Sequence, residues 1–425
     1  MSLKRYVLVG TGGRGLTMFA RPIFEDFQET AELVGFCDHN RLRLEAANRM
    51  LGTELPQFTD VQEALSALDP DGVIVCTQDN THAGFIIQAL EAGKRVYCEK
   101  PLCTTAAQCR DILAAAAQSA GNVFVTHNLR YGPALQKLKE LVDGGRIGRP
   151  LSLEFDEFLD RSHGADYFRR WHRRKQNSGG LLIHKASHHF DAMNWLVGSR
   201  PEVLTATGGL LFYGRNGELR GDRCLDCTHA SECDFHVELG AEERTRTLYL
   251  ETEAGDGYIR DGCVFDPSVD IEDHASVSYS YENGVRVNYS LLAYSSYQSM
   301  SLTVEGTEGR LEYREVVDTS FAIGNRRVPG VETFAGKTLC YYHPRQGREV
   351  LEVPRRKGTH GGADPALRSD FFARPWDATG NDRMATLDQA AQAVLTGAAA
   401  NASIAEGGAP VRVQDLLVRG VDAVQ

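Results

Sequence analysis

The stretch YVLVGTGGRG, residues 6–15, decides the fold. A short apolar run passes without a linker into Gly10, Gly12 and Gly15 of G-T-G-G-R-G, and a helical stretch follows, 16 to about 28. Each glycine has a physical task when such a loop meets a dinucleotide. Gly10 permits the tight turn out of the strand, Gly12 lets backbone approach a pyrophosphate, and Gly15 lets helix pack on sheet. Gly13 and Arg14 complete the loop, and the helix N-terminus offers free N–H groups and partial positive charge to an anion. A second apolar run, 32–37, ends in Asp38, 23 residues after Gly15 and near the spacing of a carboxylate that binds adenosine ribose.

Outward from this unit the pattern repeats. Segments 41–50, 60–68, 81–92 and 105–119 read as helices, and GVIVC (72–76), 95–98 and 123–126 read as buried strands. Alternating short strands and helices imply a parallel sheet covered on both faces, an α/β Rossmann domain over 1–127. Asp38 repels a 2′-phosphate and favours NAD, whereas Arg41 and Arg43 just behind it keep NADP open.

After residue 150 the reading changes. LSLEFDEFL, EVLTATGGLLFY, TLYLET, ASVSYSYENGVRVNYSLLAY and SLTVEGTEGRLEY alternate polar and apolar residues, as a one-side-wet antiparallel sheet does, with Asn283-Gly284 as a hairpin turn. Residues 128–425 therefore read as a second, α+β domain on a large open sheet. Its open face would pair copies of the chain. A polar insert, about 214–265, carries Cys224, Cys227 and Cys233, with Cys263 downstream. Four thiolates suit a structural zinc ion, and reduced loop thiols without a partner are the competing reading. Cys37, Cys76, Cys98, Cys103, Cys109 and Cys340 sit in apolar or helical settings and read as buried filler.

Composition excludes other classes. Against 46 Lys and Arg stand 57 Asp and Glu, a net charge of −11 that argues against nucleic-acid binding. No apolar run of membrane-spanning length occurs, the start carries no secretion signal, and the sparse cysteines suit a reducing compartment, so the expected location is cytoplasmic.

The tetrad Cys98-Glu99-Lys100-Pro101, preceded by ALEAGKRVY, resembles the signature of the glucose–fructose oxidoreductase, inositol dehydrogenase and rhizopine-catabolism family of NAD(P)-dependent oxidoreductases. VCTQDNTHA (75–83), THNLRYGPALQKLKELVDGGRIG (126–148) and GGLLIHKASHHFDAMNWLVG (179–198) are similar to further segments of that family, as are, more weakly, 360–364 and 409–416. The resemblance implies that Lys100 orients the substrate oxygen beside the nicotinamide. It makes Glu99, Thr77, Asn80, His82 and Asn128 cofactor neighbours, and His188 the general acid/base. For residues 128–425 it implies a substrate-binding role and oligomers, a homodimer or homotetramer. One departure stands out, because polyol-oxidising members carry an aspartate four residues before that histidine, where this chain has His184 followed by Lys185. On one helix His184, His188, Asp191 and Trp195 would share a face. Lys185 makes a catalytic metal on the two histidines a poor reading. Arg130, Tyr131, Trp171 and Lys185 are candidate substrate contacts. Trp171 lies in YFRRWHRRK (167–175), whose five cations suit an anionic or polyhydroxylated sugar.

The expected activity is hydride transfer between a secondary alcohol of a sugar, sugar derivative or glycoside and the nicotinamide. Two alternatives remain: redox-neutral glycoside cleavage by transient oxidation and elimination, and a non-catalytic NAD(P)-binding sensor.

Overall fold

The computed structural model describes residues 3–318, 335–376 and 383–418. The first sheet is built from β1 (Lys4–Val9), β2 (Ala31–Cys37), β3 (Gln57–Phe58), β4 (Gly72–Val75), β5 (Arg95–Cys98) and β6 (Val123–Val125). Its order is β6-β5-β4-β1-β2-β3, all parallel, the doubly wound arrangement that needs helices on both faces. Four of its strands, β1, β2, β4 and β5, are buried along nearly their whole length, which is why they read as unbroken apolar runs. Helix α1 (Gly15–Ala20 continuing through Arg21–Asp26) springs from the glycine loop, and α2 (Arg41–Leu51) follows Asp38, capped by the Asn40 side chain. Next come α3 (Val61–Leu68), α4 (His82–Glu91) and α5 (Ala106–Ala117), the last capped by Thr105.

The second sheet has nine strands: β7 (Pro150–Asp160), β8 (Pro201–Gly209), β9 (His274–Tyr281), β10 (Arg286–Ser295), β11 (Gln298–Gly306), β12 (Arg310–Asp318), β13 (Gly336–His343), β14 (Gly347–Leu351) and, later in the chain, β16 (Val411–Arg412). Their order is β14-β13-β12-β11-β7-β10-β9-β8-β16, antiparallel except where β7 lies parallel to β10. Along β7 and β10 every second residue is buried, so one face packs on helices and the other is wet. On the packed face lie α6 (Arg161–Arg169), α7 (Ser187–Val197) and α8 (Leu387–Ala405), in contact with β7, β10 and β8.

The chain crosses back. Strand β15 (Ala385–Thr386) pairs antiparallel with β6 and so belongs to the first sheet, and the Phe371 ring stacks on Tyr97 of β5 at 4.2 Å. Sequence position alone therefore does not assign residues after 352 to the second layer. Among the described residues no helix is long and apolar enough to cross a membrane.

Candidate active site

Between the two sheets lies a cleft of about 590 Å³ lined from both layers. The glycine loop opens at one end. Gly10 takes a left-handed φ of +94°, and a Cβ there would collide with the Cys76 carbonyl. A Cβ on Gly15 would collide with the carbonyl of Gly10, so only glycine permits this close crossing of backbone. Asp38 organises the loop: one carboxylate oxygen accepts from the Thr11 N–H and hydroxyl at 2.9 and 3.0 Å, the other from the Asn40 N–H at 3.0 Å. The loop, the helix start behind it and an acidic residue after β2 form a cradle that fits a nicotinamide dinucleotide. Such a cofactor accepts or gives a hydride when bound.

Two cations at the cradle, Arg14 of the loop and Arg43 of α2, are already engaged. Arg14 lies on Glu99 at 2.8 Å and on Asp364 at 3.3 Å. Asp364 also accepts from Thr359, His360 and Asn128, which holds its carboxyl well below the usual range against the push of burial. Arg43 is buried with its donors on the Leu248 carbonyl, Asp38 and Asp256. It is a strut rather than an open anion receptor.

Lys100 follows β5 and its ammonium donates to the His184 carbonyl at 2.8 Å, with His184 Nε2 at 3.4 Å. Burial pushes Lys100 down to about 8, the neighbouring Asp79 opposing the shift. His184 Nδ1 lies 2.5 Å from the Asp79 carboxylate. Burial pushes Asp79 up and His184 down, so the pair shares one proton instead of standing as two separated charges. His188 lines the cleft with its Nδ1 free of any hydrogen-bond partner among the described residues, and burial, then Lys100, pushes its pKa well down, which keeps it neutral.

The expected single helix over 184–195 is broken. A short helix, Leu181–His184, ends at a turn through Lys185 and Ala186 before α7 begins. The break turns His184 toward Asp79 and Lys185 toward Glu157, 3.0 Å away, while His188 keeps the cleft. Trp171 stacks on His172 at 3.7 Å and lines the same cavity, as does Lys185. Thr77 and His82 also line it, His82 being held by the carbonyls of Pro101 and Thr77. Asn80 instead gives its carbonyl to Gln108, outside the lining.

Two candidates for substrate contact lie elsewhere. Arg130 is fully buried, with both ends of its guanidinium on Asp191 at 2.6 Å and a further bond to Gln389. Tyr131 is buried beneath the Arg383 guanidinium. Neither reaches the cleft, and nothing local in 126–148 foretells partners that arrive from α7 and α8. Arg170, one of the five cations of 167–175, lines the cleft as expected, whereas Asp79, His172 and the insert residues Tyr249 and Arg260 line it without having been anticipated. Asp79 stands beside the expected Thr77 and Asn80 in VCTQDNTHA, so position in that motif is the one signal that was present.

The zinc expectation finds no support. Among the described residues no group of three or more His, Cys, Asp or Glu is arranged to hold a metal ion, and Cys224, Cys227, Cys233 and Cys263 are free thiols. The reason is physical: the insert has other ties. Arg223 binds Glu253 and Asp261, and Phe235, Phe265, Phe212 and Tyr213 pack edge to face into a small aromatic core.

Comparison with known proteins agrees with the two-layer fold. Residues 4–127 match the model of an oxidoreductase family with an NAD-binding Rossmann fold, and 139–413 match that family's C-terminal alpha/beta domain. The relative YteT of Bacillus subtilis is 33% identical over 95% of this chain and 94% of its own. An inositol 2-dehydrogenase of Rhizobium meliloti is 26% identical over 54% of this chain and 73% of its own. A levoglucosan dehydrogenase solved with NADH and L-sorbose shares the fold, with a TM-score of 0.68, 20% identity, and coverage of 97% and 99% of the two chains.

Proposed function

This chain belongs to the oxidoreductase family of those two models, and from that premise we propose that it moves a hydride between a secondary alcohol of a sugar, sugar derivative or glycoside and NAD. The observation that carries the reading is Lys100, a half-buried amine near neutrality backed by His184 and Asp79. In the oxidative direction Lys100 takes the hydroxyl proton as the hydride leaves carbon. The new ammonium keeps its bond to the His184 carbonyl, and His184 and Asp79 spread the added charge. His188, half-buried beside Lys100 with no carboxylate partner among the described residues, holds a proton poorly and instead receives the substrate hydroxyl as a neutral hydrogen-bond partner. Trp171 over His172 offers a flat apolar face to a sugar ring.

NAD rather than NADP follows from charge. Asp38 and Asp256 flank Arg43, so its guanidinium is engaged and not open to a 2′-phosphate, and Asp38 itself repels one. A second reading, redox-neutral glycoside cleavage with retained cofactor, is favoured by one observation: the insert lies on the glycine loop, Tyr249 touching Gly13. Association of copies through the wet face of the nine-stranded sheet completes the proposal, and sedimentation at rising concentration tests it.

A screen of sugars, uronates, inositols and glycosides by NADH absorbance, with product analysis alongside, tests the activity. NADH formation with a Lys100→Met loss supports net oxidation. Aglycone release without NADH supports the second reading. Full turnover by a Lys100→Met, His188→Ala double variant rejects the site.

A further inference from the structure

The pyrophosphate of a dinucleotide carries two negative charges, and the glycine loop has little free positive charge to meet them. Arg14, its own cation, is held by Glu99 and Asp364. The opposite wall comes from the insert. The Tyr249 hydroxyl accepts the Gly13 N–H at 2.8 Å, an amide of the loop that a phosphate would take, and its phenolic proton is left to donate. The Arg260 guanidinium lies over the Tyr249 ring, 4.2 Å from its centroid, and has no carboxylate partner among the described residues. Both side chains line the cleft together with Gly13 and Arg14.

The segment that carries Tyr249 is fixed to the nucleotide layer at its other end. Arg43 bonds the Leu248 carbonyl at 3.3 Å and Asp256 at 2.7 Å, and the Asn40 amide bonds the Thr252 carbonyl at 2.9 Å. These ties join the insert to the helix just after Asp38. Tyr249 and Arg260 thus face the glycine loop on a held backbone rather than on a loose loop.

We propose that the insert supplies two ligands for the cofactor pyrophosphate, the Tyr249 hydroxyl and the Arg260 guanidinium, and closes the dinucleotide in from the side opposite the glycine loop. The inference rests on the cleft being the dinucleotide site. Tyr249 changes from acceptor to donor when a phosphate takes the Gly13 amide, and Arg260 supplies the charge that Arg14 cannot. Release of cofactor then requires these contacts to part, which slows exchange between turnovers.

Binding, not turnover, tests this. NADH, ADP-ribose and adenosine are titrated against the unaltered protein, Tyr249→Phe and Arg260→Gln, with NADH dissociation followed by stopped-flow fluorescence. Each substitution is expected to weaken NADH and ADP-ribose about tenfold and to speed NADH release, as loss of a charge-assisted bond does, with adenosine unchanged. Melting curves superimposable on the unaltered protein are expected, and Arg260→Gln at the cleft edge carries the test if Tyr249→Phe is unstable. Unchanged NADH and ADP-ribose binding in both variants overturns the proposal, and so does an equal loss for all three probes. Failure of the unaltered protein to bind NADH or NADPH overturns the dinucleotide reading itself, a separate result.

Discussion

The Asp79 carboxylate lies 2.5 Å from His184 Nδ1, and the opposite ring nitrogen of His184 lies 3.4 Å from the Lys100 ammonium. Asp79 comes from the loop after β4, Lys100 from the end of β5, and His184 from the other layer, so the row forms only when the two layers dock. It also answers the departure at residue 184. Where the family resemblance implies an aspartate, this chain places an imidazole that reaches a carboxylate one step further on.

A pH dependence follows. Burial pushes Lys100 down to about 8, so below that pH it is an ammonium and above it a free amine. For alcohol oxidation kcat/KM is expected to climb as pH rises through 8 and then level, whereas carbonyl reduction, which needs the ammonium, falls over the same range. Lys100→Met removes the limb and lowers the rate by about 10²- to 10⁴-fold. Asp79→Asn removes a neighbour that raises Lys100, so the limb moves to lower pH. A pH–rate profile of Asp79→Asn that matches the unaltered protein would exclude the relay.

The buried Arg130–Asp191 pair gives a prediction of the opposite kind. Arg130→Ala strands a carboxylate in a fully buried site and is expected to cost about 3–5 kcal/mol. Denaturant unfolding measures that loss. KM for substrate in the folded protein is expected to stay put, because the guanidinium does not reach the cleft.

Glycine substitutions separate cradle from filler. Gly15→Ala meets the Gly10 carbonyl and is expected to abolish NADH binding and lower the melting temperature. Gly84, inside α4, has nothing within 4 Å of where a Cβ would stand, and Gly84→Ala is expected to stabilise by about 0.5–1 kcal/mol. The two melting curves are the check.

How much of this was legible depends on how local each interaction is. The glycine loop, Asp38 and the buried strands are written in contiguous residues, because strand burial and tight turns impose period and residue type directly. Lys100 and His188 were reachable through motif resemblance. The His184–Asp79 contact spans 105 positions, and Arg43–Asp256 spans 213. No period carries such pairs. The turn at Lys185 and Ala186 was hidden as well, since helical periodicity continues through it while His184 meets Asp79 and Lys185 meets Glu157 from distant segments. The insert misled for a related reason: its cysteine spacing was visible, while the aromatic core that holds it draws on residues on both sides of the cysteines.

The zinc question is testable in turn. With no metal-holding arrangement among the described residues, chelation followed by dialysis is expected to leave the melting temperature and NADH affinity unchanged. Metal analysis of gently purified protein is expected to give less than about a tenth of an equivalent of zinc.

The last prediction concerns cofactor choice. Arg43 stands between Asp38 and Asp256, and Asp256 also faces His39 at 3.3 Å, an arrangement that holds the Asp256 carboxyl well below its usual range. Removing Asp256 leaves Arg43 with one carboxylate and opens its outer nitrogen. A 2′-phosphate brought to that nitrogen meets a cation rather than a salt-bridged strut, while NAD, lacking the phosphate, gains nothing. Asp256→Ala is therefore expected to raise the ratio of NADPH to NADH affinity by about tenfold, one charge-assisted contact converted to binding. Fluorescence titration with both nucleotides measures the ratio. A ratio that does not move would mean that the adenosine ribose lies away from Arg43, and that Asp38 alone sets the preference.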